Sequence, residues 1–224
     1  MSTAGGNGVT TGSPLNVLRR IATRPPPDPT VETCDMCAEV VGDEHPHVVD
    51  IESRALMCTC RGCYLLFTAD QAHLRYRAVP DRYLSFPDFE VAPGAWDSLE
   101  IPVGLVFLFS SSVLSSMVAF YPGPAGVTES ELDLTAWEGI VATNPAFRTL
   151  RPDVEALLVH TTDHGEDIQC FLVPIDACYE LAGRMRLVWR GFDGGQDAHE
   201  QIDAFFSQVR ERSRPAPNEK AQRL

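Results

Sequence analysis

The fold is decided by the stretch VGLVFLFSSSVLSSMVAFY at residues 103–121, in which two apolar runs flank a serine-rich turn. The first run covers 103–109 and the second covers 116–121, so each has the length of a strand. Short apolar runs bounded by turn residues are typical of buried strands, and two of them joined by a short polar segment predict a hairpin. The stretch therefore predicts two antiparallel strands near the middle of the chain.

Downstream of this hairpin, the sequence predicts two more strands and three helices. Apolar residues spaced three or four apart indicate helices, and short apolar runs indicate strands. The predicted elements are a helix at 134–143, strands at 155–160 and 169–173, and helices at 176–190 and 197–212. The order β-β-α-β-β-α-α is typical of an α+β fold, with helices packed on one face of an antiparallel sheet.

Composition divides the chain into four predicted segments. Residues 1–30 are rich in Gly, Ser, Thr and Pro, and they predict a flexible segment with a short helix at 14–22. Residues 31–75 form a Cys-rich module resembling a zinc ribbon, and 76–212 form the α+β domain. Residues 213–224 are expected to be a flexible tail.

Charge limits the partners that we expect. The chain has 31 acidic and 18 basic residues and a net charge of −13. Nucleic-acid binding depends on Lys and Arg that neutralise phosphates, and anionic lipids attract the same side chains, so neither partner is expected. Such a charge is typical of a solvated acidic surface, and the alternative is a face that binds a basic protein partner.

The sequence shows neither a secretory signal nor an apolar run long enough to span a membrane. We therefore expect no membrane insertion and a cytoplasmic location. Because a reducing cytosol keeps thiols free, disulfides are not the expected role of the seven cysteines.

The strongest chemical signal is a pair of CxxC motifs, Cys34–Cys37 and Cys60–Cys63, separated by 22 residues. Each CxxC motif folds as a tight turn that directs two thiolates toward one point. Two such turns supply the four sulfurs of a tetrahedral zinc site, although the spacing between them is usually somewhat shorter. The sequence therefore predicts a zinc site made by Cys34, Cys37, Cys60 and Cys63.

The ligand set and the metal both have alternatives. Cys58 is a fifth thiol in this region, and it is either a spare thiol or a replacement for Cys60. His45 and His47 lie between the two motifs and are alternate nitrogen ligands. The same thiols are compatible with an iron–sulfur cluster or with a single iron, as in rubredoxin.

Other candidate sites are weaker. The loop 160–167 concentrates two His and three carboxylates, but polar hairpin loops of this kind are common. Cys170 and Cys178 fall in apolar segments and are expected to be core residues, because buried thiols are poor nucleophiles. No nucleotide-binding or serine-hydrolase motif occurs, so no catalytic residue is assigned and a non-enzymatic protein is favoured.

Several strings of the sequence are distinctive, namely CDMC, CTCRGCYLLF, RYRAVPDRY, IPVGLVFLF, AFYPGPAG, TES, PDVEALLV, VPIDACYELAG and WRGFDGG. Together they resemble an uncharacterised bacterial family, a domain of unknown function. The genes of that family often lie near those for subunits and maturation factors of high-affinity nickel–iron hydrogenases. The resemblance covers residues 31–212 and implies a hydrogenase-associated context, with no reaction type.

Three functions follow from these observations. The first is a zinc-binding accessory protein that binds a hydrogenase subunit or maturation factor. The second is a small electron carrier that holds iron in the same cysteines. The third is an enzyme that uses the loop 160–167 or Cys170, which requires His160 and His164 to converge with a carboxylate.

Overall fold

The structure is a computed structural model that describes residues 31–69, 75–89, 104–123, 126–131, 134–162, 167–191 and 194–217. The predicted helix at 14–22 and the end of the predicted tail lie outside these residues, as do 163–166 of the polar loop. Among the described residues, no helix has the length and apolarity needed to cross a membrane.

Two strands of a small sheet lie between the cysteine motifs in the sequence. Its strands are β1 (His47–Asp50), β2 (Ala55–Cys58) and β3 (Tyr76–Ala78), and helix α1 (Arg61–Leu65) follows β2. β1 lies between the other two strands and pairs with both in antiparallel fashion. Strand β3 therefore lies just outside residues 31–75, the segment in which the sequence predicts a Cys-rich module.

A larger sheet of seven strands forms the body of the protein. The strands are β4 (Leu84–Ser85), β5 (Leu105–Ser111), β6 (Ser116–Gly123), β7 (Gly126–Glu131), β8 (Glu155–Thr162), β9 (Asp167–Pro174) and β10 (Arg214–Pro215). Their order is β10-β4-β9-β8-β5-β6-β7, and all neighbours are antiparallel except β10 and β4. The predicted hairpin at 103–121 is confirmed as β5–β6, and the strands predicted at 155–160 and 169–173 pair in antiparallel fashion as β8–β9.

The three predicted helices are also present, each within two residues of its predicted bounds. They are α2 (Leu134–Thr143), α3 (Ile175–Val188) and α4 (Gly195–Arg212), and a short 3-10 helix (Pro145–Thr149) follows α2. Helix α3 starts directly after Pro174, whose fixed φ and missing amide hydrogen suit the position before a helix.

Both faces of the large sheet are buried, which explains why β5 is a continuous apolar run. Successive side chains of a strand point to opposite faces. Phe107 packs with the core beneath α3 and α4, where Leu181 and Phe206 are buried. Leu108 packs in a second core with Ile140 of α2 and Phe147 of the 3-10 helix. The predicted α+β class with an antiparallel sheet is confirmed, and shorter helices cover the second face in addition.

The small sheet shares the core of the body. Val48 and Val49 of β1 are 0% and 5% exposed, and Val49 and Val79 belong to the core beneath α3 and α4. Ion pairs join the same two parts, between Arg77 and Asp153 at 3.0 Å and between Arg54 and Glu129 at 2.6 Å. The cysteine motifs are therefore held against the body by both apolar packing and charge.

One ion pair of the body includes a fully buried carboxylate. Glu155, at the start of β8, is 0% exposed, and its two carboxylate oxygens accept hydrogen bonds from the Arg82 guanidinium at 2.7 and 2.6 Å. Arg82 also donates to the Thr149 carbonyl at 2.7 Å, and the Arg151 amide donates to the Glu155 carboxylate at 2.9 Å. A buried charge is tolerated only with such a full set of partners.

Replacing Arg82 with Met is expected to lower the free energy of unfolding by about 3 kcal/mol or more, because it leaves the Glu155 carboxylate buried without its counter-charge. Urea unfolding measured by circular dichroism checks this value. The matched control is Arg184→Met, which removes the surface ion pair with Glu180 on α3. We expect this change to cost about 0.5 kcal/mol, and equal losses in the two variants would contradict the role of Arg82.

Candidate metal centre

The first cysteine pair lies on a tight turn between two bridged residues. Thr33 and Val40 form an isolated β-bridge that closes the turn at its base. Within it, the Cys34 amide donates to the Glu39 carbonyl at 2.7 Å, and the Ala38 amide donates to the Cys34 carbonyl at 2.8 Å. Ala38 has a φ of 60°, a left-handed conformation that reverses the chain directly after Cys37.

The second cysteine pair lies at the start of α1. Cys60 is the N-cap of this helix, and its sulfur accepts a hydrogen bond from the Cys63 amide at 3.5 Å. The Tyr64 amide donates to the Cys60 carbonyl at 3.0 Å, which closes the first helical turn. This turn places Cys60 and Cys63 on the same side of the chain.

The two turns bring four sulfurs together. The sulfurs of Cys34, Cys37, Cys60 and Cys63 all lie within 4.8 Å of one another. The Cys37 and Cys60 sulfurs are 3.7 Å apart. Zinc–sulfur bonds of about 2.3 Å at tetrahedral angles place sulfurs about 3.8 Å apart. The spacing is thus compatible with a bound zinc or iron, and it does not distinguish between them.

The environment of the cluster differs from one thiol to the next. Cys34 is 1% exposed, whereas Cys37 is exposed. Burial alone would raise the pKa of the Cys34 thiol, but hydrogen bonds from the backbone at Cys60, Cys37 and Met36 together lower it to about 6. A hydrogen bond with Cys37, together with burial, raises the pKa of the Cys63 thiol to about 12. The surroundings of the Cys34 and Cys63 thiols therefore shift their pKa values in opposite directions.

The alternate ligands form a group of their own. Ligand atoms of His45, His47 and Cys58 lie within 4.8 Å of one another, and none of these residues belongs to the four-cysteine cluster. The structure thus places Cys60, and not Cys58, with Cys34, Cys37 and Cys63. Cys58 ends β2 opposite His47 of β1, so the strand pairing turns its side chain toward the histidines.

The residues proposed for an enzymatic site do not form one within the described part of the chain. The His160 ring stacks on Phe206 with centroids 4.6 Å apart, and residues 163–166 lie outside the described residues. Burial raises the pKa of both Cys170 and Cys178 well above the ordinary value for a thiol. Cys178 lines a cavity of about 440 Å³, but its protonated thiol is a poor nucleophile.

In a comparison with known protein families, residues 33–213 match a family of unknown function named DUF5947. The chain belongs to this family. No curated protein and no solved structure matches the chain. The family region begins just before Cys34 and includes all seven candidate ligands, the small sheet and every strand of the large sheet except β10. The metal-ligand groups are therefore part of the DUF5947 domain, and nothing in the match points to hydrogenases.

Some contacts around the site were not evident from the sequence. Asp176, at the start of α3, accepts a hydrogen bond from the His47 ring at 3.0 Å, across 129 positions of sequence. Asp35 accepts a hydrogen bond from the Cys58 amide at 2.7 Å. A single acidic residue has no sequence pattern that predicts a contact with a distant segment. The cysteines, in contrast, were identified by the spacing of the CxxC motifs.

Replacing Cys63 with Ser is expected to abolish metal binding at the four-cysteine cluster and to disorder the turns that carry it. The large sheet should persist, because most of its core comes from residues after 104. Elemental analysis measures the loss of metal, and amide hydrogen exchange measures the disorder of the turns and the persistence of the large sheet. Cys170→Ser is the control, since Cys170 lies in the core away from the cluster. Full metal retention by Cys63→Ser would contradict its assignment as a ligand.

Proposed function

We propose that this member of the DUF5947 family is a metal-binding accessory protein whose four-cysteine cluster holds a structural Zn²⁺. The main support for the proposal is that the two CxxC turns place four thiols within 4.8 Å of one another. Four protein ligands close a tetrahedral site and leave no position for a substrate, which is typical of structural zinc.

The cysteine region has a small apolar core of its own, so a bound metal would contribute to its stability. The strands of the small sheet have only three or four residues each, and no residue of α1 is buried. Structural zinc contributes its binding free energy to folding where the core is too small to do so. A bound metal would order the two turns and fix their outer surface for a partner.

The surface of this region supports binding to another protein. Exposed large apolar side chains in the region are Val31, Val40, Leu65 and Leu66, and the last is 69% exposed. Exposed apolar groups on an acidic chain fit a partner that combines an apolar patch with basic residues. The resemblance to hydrogenase-linked proteins makes a nickel–iron hydrogenase subunit or maturation factor the first partner to test.

A small electron carrier is the second candidate function. The exposure of Cys37 favours it, because electron exchange needs a metal ligand near the protein surface. In that case the same four thiols hold a single iron or an iron–sulfur cluster.

Elemental analysis and a visible spectrum separate these two functions. We expect protein purified without oxygen to contain zinc and to be colourless, because zinc thiolates do not absorb visible light. Iron with visible absorption would overturn the structural role and establish the electron carrier. Protein without bound metal, after growth with both metals, would overturn both.

The proposed interaction with a basic partner predicts an affinity that depends on salt concentration. Binding to a basic partner should weaken as salt is raised from about 50 to 500 mM, because salt screens charges that attract across an interface. Calorimetric titration of a candidate hydrogenase protein with the zinc-loaded chain measures this. The Cys63→Ser variant should bind more weakly, and equal affinity would show that the metal-ordered turns do not form the interface.

A further inference from the structure

A second group of metal-ligating side chains lies beside the four-cysteine cluster and shares no residue with it. It consists of His45, His47 and Cys58, whose ligand atoms lie within 4.8 Å of one another. We propose that these residues form a second site for a divalent transition metal such as Zn²⁺. The site has three protein ligands, and its fourth position is open to water or to a ligand from outside the chain.

The chain builds this group from two paired strands. His45 and His47 flank Pro46, and residues two apart in an extended chain point to the same side. Cys58 is the cross-strand partner of His47. Thr59 extends the pairing, because its amide and its hydroxyl both donate to the Pro46 carbonyl, at 3.0 and 2.8 Å. The two imidazole centroids are 4.8 Å apart as a result.

His45 is prepared as a ligand by its own surroundings. Its Nδ1 lies 2.8 Å from the Gly42 carbonyl oxygen, which can only accept, so Nδ1 carries the hydrogen and donates it. The lone pair of the neutral ring is then on Nε2. The side chain is 7% exposed, and its buried Nε2 has no hydrogen-bond partner among the described residues. Buried polar atoms are normally satisfied, so this nitrogen needs a partner that the protein itself does not provide.

His47 is held in the same tautomer by a carboxylate. Its Nδ1 lies 3.0 Å from an oxygen of Asp176, which leaves the Nε2 lone pair free of this contact. A carboxylate behind an imidazole is the usual outer partner of a metal-bound histidine, because it fixes the ring and makes Nε2 more basic. Glu32 supplies a second carboxylate, 3.6 Å from His45 Nδ1. Both rings therefore have an anion on the side away from Nε2.

Cys58 is fixed by reciprocal backbone bonds with Asp35. The Cys58 amide donates to the Asp35 carboxylate at 2.7 Å, and the Asp35 amide donates to the Cys58 carbonyl at 2.8 Å. His47 and Cys58 are partly exposed, whereas the His45 side chain is nearly buried. Two imidazoles and one thiolate suit zinc, cobalt or copper and exclude calcium and magnesium, which prefer oxygen ligands.

Titration with Co²⁺ tests the second site, because thiolate-bound Co²⁺ absorbs visible light. The full chain, stripped of metal by chelation under reducing conditions without oxygen, should bind two Co²⁺. His45→Ala should bind one Co²⁺, with the spectrum of the four-cysteine centre unchanged. Cys37→Ser should lose that spectrum and retain the Co²⁺ bound by two histidines and Cys58. Each variant thus reports on one site, so failure of the second site is distinguishable from failure of the proposed structural zinc.

Two further variants complete the test. Asp176→Ala should weaken Co²⁺ binding at the second site by about 10- to 100-fold, as is typical when the outer partner of a ligating histidine is removed. His199→Ala is the matched control, since His199 Nδ1 also bonds a backbone carbonyl, Gly195, at 2.7 Å but belongs to neither cluster. It should bind two Co²⁺.

Two outcomes would overturn the second site. One is binding of a single Co²⁺ by the unmodified chain that is lost in Cys37→Ser and retained in His45→Ala. The other is retention of two Co²⁺ by His45→Ala. If His45→Ala does not fold, Cys58→Ser replaces it, because this change keeps the side-chain volume and removes the thiolate. Binding of two Co²⁺ with an unchanged spectrum in Cys58→Ser would then overturn the proposal.

Discussion

The pairing of β1 with β2 is the constraint on which both groups of metal ligands depend. Its register sets His47 opposite Cys58 and thereby forms the mixed group of two histidines and a thiol. The same pairing returns the chain to the first CxxC turn, so that α1 starts with Cys60 beside Cys37. A shift of one residue would turn Cys58 to the opposite face of the small sheet.

β1 also ties the metal region to the rest of the protein. Val49 is buried in the core beneath α3 and α4. Within the small-sheet region, the buried Asp50 accepts two hydrogen bonds from the Arg75 guanidinium at 3.0 and 2.6 Å. These bonds, opposed by burial, lower the pKa of the Asp50 carboxyl well below its usual value. The carboxylate therefore stabilises the fold above the ordinary pKa of Asp, and this stabilisation is lost as pH falls toward the lowered value. The metal region is thus an extension of the body, with its own ligands but a shared core.

Much of the fold followed from local sequence patterns. The two long hairpins have apolar runs of strand length, the three helices have apolar residues at helical spacing, and the CxxC motifs identified the four clustered cysteines. The two-residue strands β4 and β10 have no such pattern, because they form only where distant segments meet. The grouping of Cys58 with His45 and His47 depends on strand register, and the role of Asp176 depends on how α3 packs beside β1. Neither is encoded over a short window of sequence.

The strand order of the large sheet determines which strand edges could pair with another copy of the chain. Of the strands that the structure describes, β7 and β10 lie at its two ends. Unpaired strand edges invite pairing between molecules and, in the extreme, aggregation. β10 has two residues, and one of them, Pro215, lacks an amide hydrogen. β7 carries two glutamates in six residues, and Glu129 is held by Arg54. Short length, proline and like charge therefore oppose growth of the sheet from one molecule into the next.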